Sequence, residues 1–169
     1  MTEEETMTIK LKKILVPMAF TDNCLKAKKY AEEIARQFGA EIELLHVVEA
    51  SPYEVYQQKG IAENVPLYEM AGGTPPTSNQ KFIIRDVLEE TRNELEKIAA
   101  SNGGGVTYVT EVKHGHSVDE ILRTIDEYKP DLVVMATHGR TGLKHLVMGS
   151  VTEKIVRLSP VPVLTYRVA

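Results

Sequence analysis

Residues 131–152 read DLVVMATHGRTGLKHLVMGSVT, a stretch that holds a strand, a glycine-rich turn and the start of a helix. Asp131 to Thr137 is a short apolar run rich in valine, the pattern of a strand buried on both faces of a parallel sheet. Gly139, Gly142 and Gly149 follow, with Arg140, Lys144 and hydroxyl side chains among them. Ser150 and Glu153 then read as an S-x-x-E capping box for a helix that Ser159-Pro160 ends. Glycine lets the backbone come close to an anion, while unpaired amides and roughly half a positive charge at a helix start attract phosphate. The physics of this stretch points to a phosphate cradle.

Working outward, the same grammar repeats. Lys13 to Phe20, KILVPMAF, is a first buried strand. Thr21, Asp22 and Asn23 offer caps to a helix whose Ala27, Ala31, Ile34, Ala35 and Phe38 recur at helical spacing until Gly39. Ala40 to Val48 is a second strand, closed by Ala50-Ser51-Pro52. A helix is expected over Lys81 to Ala100 and a third strand over Val106 to Val112. Ser117 and Glu120 make another capping box, for a helix stopped by Pro130, and a last strand runs Val161 to Tyr166. Strand and helix alternate throughout, which predicts an α/β fold: a doubly wound, five-stranded parallel sheet with helices on both faces. Pro162 lacks a ladder donor and sends the final strand to an edge.

The 169 residues suit one domain, with a flexible acidic stretch over 1–11. Residues 51–80 break the pattern with Pro52, Pro66, Pro75, Pro76 and Gly72-Gly73, and read as a long insertion that serves as a lid, a partner surface or a mobile loop. A net charge of −4 argues against a nucleic-acid partner. The chain offers no apolar run near the ~20 residues that cross a bilayer. A single cysteine and a polar N-terminus make the cytoplasm the expected location.

Neither G-x-x-x-x-G-K-[ST] nor G-x-G-x-x-G after the first strand is present, which disfavours a P-loop hydrolase and a dinucleotide dehydrogenase. Instead the chain resembles the universal stress proteins. Their nucleotide-binding members carry G-x2-G-x9-G-[ST] after the fourth strand, and Ala136, Gly139, Gly149 and Ser150 stand at those positions here. KKILVP, LLHVV, DLVVMATHGRTG and GSVTEKIVRLSPVPVL extend the likeness over nearly the whole chain.

The resemblance implies a Rossmann-like fold of the adenine nucleotide alpha hydrolase-like type. It also implies an adenine nucleotide as ligand, ATP first and AMP or ADP as alternatives, with Mg2+ held through the phosphates. Pro17 and Val47 would border the adenine, with Met135 and Ala136 nearby. The amides of Gly139, Arg140, Thr141 and Gly142, with Gly149 and the helix start Ser150-Val151-Thr152, would hold ribose and phosphates. A homodimer through the C-terminal edge strand follows from the same likeness, and a strand that apolar would otherwise be an association liability.

Two positions depart from the pattern: Ala136 replaces the motif's first glycine, and Ala19 stands where many relatives have Asp. An added methyl at 136 is harmless if φ is negative and crowds a ligand otherwise. Loss of a carboxylate at 19 is expected to weaken affinity or relax base and ribose selectivity. Two rivals remain open: a scaffold that acts through an unknown protein partner without nucleotide, and a slow ATPase, for which Asp22 is the nearby carboxylate. No catalytic residue or metal site is assigned. His114-x-His116 reads as loop, His46 as a hydrogen-bonded core residue and Cys24 as an inert thiol.

Overall fold

The computed structural model describes residues 10–49, 78–101, 104–137 and 148–167, with the side-chain environments of the second span given from residue 84 onward. The acidic stretch over 1–11, apart from its last two residues, and the insertion over 51–80, apart from its last three, lie outside the described residues.

Strand β1 is Lys13–Met18, where Ile14, Leu15 and Val16 are wholly buried because apolar neighbours meet them on both faces. It leads through Thr21, whose Oγ1 accepts from the Cys24 amide at 3.4 Å, into helix α1, Asp22–Phe38. Gly39 ends α1 at φ 66°, a left-handed turn that a Cβ would strain. Strand β2, Glu41–Val48, is followed by helix α2, Ser78–Ala100, and strand β3, Thr107–His114. Helix α3, Ser117–Tyr128, strand β4, Leu132–Ala136, helix α4, Ser150–Leu158, and strand β5, Val163–Tyr166, complete the order.

The strands lie in the order β3-β2-β1-β4-β5 and every pair is parallel, as the alternating pattern predicts. From β1 the chain moves outward to β2 and β3 with α1 and α2 on one face, then returns past β1 to β4 and β5 with α3 and α4 on the other. A uniform crossover hand requires that division. The core is accordingly in two layers. Ile14, Val16, Ile42, Leu44 and Val134 pack under α1 and α2, whereas Leu15, Leu45, Val133 and Met135 pack under Ile121 and Ile125 of α3 and Ile155 of α4.

A buried ion pair sits in the first layer. Lys28 Nζ donates to Glu32 Oε1 at 2.7 Å within α1, and the Tyr108 hydroxyl of β3 donates to the same carboxylate. Burial alone would raise the Glu32 pKa, but the hydrogen bonds from Lys28 and Tyr108 and the charge of Lys28 outweigh it and hold the carboxyl below its ordinary value.

Several boundaries differ from the sequence expectation. The first strand stops at Met18 because Phe20 takes φ 52° and turns the chain. Helix α2 starts at Ser78, three residues before the expected Lys81 and within the stretch read as insertion. Strand β5 starts at Val163, yet the Pro162 carbonyl still accepts from Val133 N at 3.0 Å and keeps the edge in register. Neither expected capping box forms. His116 and Gly149 are the N-caps, one residue before each serine, and neither N-cap residue makes a side-chain cap bond of its own. The Ser117 amide instead donates to Glu49 Oε1 at 2.6 Å, so a carboxylate from the end of β2 does the capping.

Candidate functional site

Strand order reverses between β1 and β4, and the carboxyl ends of those strands are where an open α/β sheet holds ligands. Their ladder runs over Ile14–Leu132 and Leu15–Val133. The last three residues of each strand continue past it, so the sheet opens toward the switch point. Pro17 lies level with Leu45 of β2, on the same face as Leu15 and two residues beyond it. Val47 and Met135 pack on that face together with Val151 of α4. Four of the residues expected around the nucleotide thus share one side of three neighbouring strands.

The glycine-rich stretch departs from β4 and returns to the same point. Gly149 N donates to Thr137 O at 2.6 Å, and Thr152 Oγ1, buried at 4% exposure, donates to Ala136 O at 2.9 Å. Thr137 N in turn donates to Tyr166 O of β5 at 3.0 Å. Three hydrogen bonds therefore fasten the root of residues 138–147 to the sheet. Those ten residues, with the expected site positions Gly139, Arg140, Thr141 and Gly142, lie outside the described residues.

At the returning end, Gly149 at φ −69° and ψ 151° caps α4, and the first intrahelical bond is Glu153 N to Gly149 O at 2.9 Å. The amides of Ser150, Val151 and Thr152 precede that bond and stand at the positive end of the helix. The Gly149 amide itself closes the loop onto Thr137. Ser150 is exposed and Val151 half-buried.

Ala136 lies in β4 beside Tyr166, 6% exposed, with its methyl in the layer under α1 and outside the left-handed region. The replacement of glycine therefore brings neither backbone strain nor a methyl on the face of Pro17 and Met135. Ala19 is half-buried against the same layer, so an apolar contact stands where a carboxylate would project.

Two further residues shape the end of β1. His46 of β2 is buried and its Nδ1 lies 2.6 Å from Met18 O, so this nitrogen carries the proton. The Phe20 ring rests on the imidazole, centroids 4.4 Å apart. The sequence reading singles out neither Thr137 nor Phe20. A threonine that ends a buried strand directly before a glycine run is a usable signal for the first. No sequence pattern marks a phenylalanine at φ 52°.

Among the described residues no three His, Cys, Asp or Glu side chains are placed to hold a metal ion, and no helix is long and apolar enough to cross a membrane. Cys24 is buried, and His116 lies 3.5 Å from Asp119 on α3. An open hollow of about 360 Å3 bordered by Lys12, Gly39 and Thr107 lies at the amino ends of the strands, away from the switch point.

With this geometry established, a sequence model of the universal stress protein family matches residues 10–167. The chain belongs to the universal stress protein family. It is 31% identical over 157 residues to universal stress protein MJ0531 of Methanocaldococcus jannaschii, covering 92% of this chain and 82% of that protein. Among solved structures, universal stress protein UspA from Lactobacillus plantarum matches with a TM-score of 0.66 at 20% identity, covering 95% of this chain and 100% of the other. A universal stress protein solved in complex with cAMP matches with a TM-score of 0.56 at 18% identity, covering 94% and 98%. The Archaeoglobus fulgidus universal stress protein in complex with dAMP matches with a TM-score of 0.51 at 14% identity, again covering 94% and 98%. At these identities the structural likeness establishes the fold.

Proposed function

We propose that this universal stress protein binds an adenine nucleotide at the β1/β4 switch point and acts as a nucleotide-responsive stress or signalling protein in the cytoplasm. The observation that carries the reading is the clamped root of the glycine-rich stretch: both its ends meet at Thr137 and Gly149, directly before three helix-start amides. Pro17, Val47, Met135 and Val151 form an apolar wall for the base, with Ala136 behind it in the strand. Gly139, Arg140, Thr141 and Gly142 with Ser150, Val151 and Thr152 supply amides for ribose and phosphates, a neutral cradle compatible with a net charge of −4. Family members solved with cAMP and dAMP support the adenine moiety. ATP is the preferred ligand, with Mg2+ held through its phosphates. β5 pairs two copies of the chain.

The binding-free scaffold is the second reading, favoured by Ala19, whose contact with the core leaves no carboxylate at that point. Thermal denaturation with ATP, ADP, AMP and GTP separates the two. A ligand at 100 times its Kd adds about 2.7 kcal/mol of stability. An adenine-selective rise in Tm is expected; no rise with any nucleotide leaves the scaffold reading.

A further inference from the structure

A polar seam runs between β2, β3 and α3. Glu43 of β2 is buried at 4% exposure on the face that also holds Leu45. Glu43 stands opposite Val109 and Leu45 opposite Glu111, so Glu43 and Glu111 share one face of neighbouring strands, on a diagonal between them. Two ionised carboxylates only accept, so the two can hydrogen-bond to each other only while one of them keeps its proton.

The surrounding charges leave little to balance a second negative charge. Lys113 Nζ is 3.5 Å from Glu111 Oε2 but 2.6 Å from Glu127 Oε2 of α3, which draws on the same cation. From β1, Lys13 donates to Tyr128 O at 3.3 Å and lies over the Tyr128 ring. Glu41 accepts from the Tyr128 hydroxyl at 3.0 Å, and Arg123 of α3 is engaged by Glu120 and Glu127. Burial, then the hydrogen bond and charge of Glu111, push Glu43 up to about 8 against the pull of Lys113 and Lys13. The strand at stake is an edge, with Val109 42% exposed.

We propose that the Glu43–Glu111 pair is a pH-sensitive latch on edge strand β3: a shared proton fastens β3 to β2 at neutral pH, and its release to solvent leaves two facing carboxylates that loosen the strand. Glu111, whose side chain is 39% exposed, has a path outward once the proton is gone. Because the folded-state value lies above the unfolded one, the latch's stabilisation is complete below the ordinary carboxylate range and falls as pH rises through about 8.

Carboxyl-carbon NMR of Glu43, with amide hydrogen exchange over residues 107–114 corrected for the intrinsic rate, tests this. The expected result is a Glu43 proton retained at neutral pH and released near 8, with β3 protection falling relative to β1 by up to about tenfold per pH unit between the ordinary carboxylate range and about 8 and levelling off above it. In Glu43→Gln the amide still donates to Glu111, and the pH dependence is expected to vanish. Should that variant fail to fold, Glu111→Gln reads the same pair, because Glu43 loses the facing charge and its titration moves down. A Glu43 that titrates in the ordinary carboxylate range, or β3 protection that follows β1 throughout, overturns the proposal.

Discussion

Thr152 joins helix to strand through a single buried bond, Oγ1 to Ala136 O. Replacement by Val keeps the shape but strands a buried carbonyl, and a loss of about 1–2 kcal/mol is expected in urea denaturation. Thr152→Ser keeps the hydroxyl and is expected to recover most of that loss. Lys28 and Glu32 give a larger effect. Lys28→Met leaves a buried carboxylate with only Tyr108 and a 4.0 Å contact to Arg36, a loss of about 3–5 kcal/mol at neutral pH. The folded-state pKa of Glu32 is depressed, so its stabilisation is present above the ordinary carboxylate range and is lost as pH falls through the folded value. The deficit of Lys28→Met is therefore expected to shrink in acid, as denaturation curves at neutral and low pH would reveal.

Helix ends distinguish local from tertiary control. Thr21 caps α1 with its own side chain, and Thr21→Ala is expected to cost about 1 kcal/mol by chemical denaturation. Ser150 makes no cap bond, so Ser150→Ala is expected to stay within about 0.5 kcal/mol. The contrast also shows what the sequence could reveal. Strand and helix order was legible because ILV, LL and LVVM runs alternate with alanine- and isoleucine-spaced helices, and burial on both faces leaves such runs few alternatives. Caps at α3 and α4 were not, because Glu49 lies 68 residues from Ser117 and Thr137 bonds Gly149 across a loop. At the switch point the spacing of Gly139, Gly149 and Ser150 pointed to the segment after β4, whose described ends meet at Thr137 and Gly149. The engagement of the Gly149 amide and the core-facing methyl of Ala136 depend on strand register, which local sequence does not specify.

For the whole molecule, the half-buried edge β5 and the fastening of Thr137 N to Tyr166 O place the expected pairing surface one hydrogen bond from the root of the glycine-rich stretch. Light scattering at micromolar concentration is expected to give the mass of two chains; the mass of one would count against pairing. The binding reading meets its most direct test in calorimetric titration of wild type and Gly139→Val with ATP and AMP, alongside their melting temperatures. Saturable binding of one adenine nucleotide per chain is expected in wild type, lost in Gly139→Val at an unchanged Tm. Equal affinity in both proteins, or no heat and no thermal shift in wild type at millimolar nucleotide, would show that the glycine-rich stretch is not a nucleotide cradle.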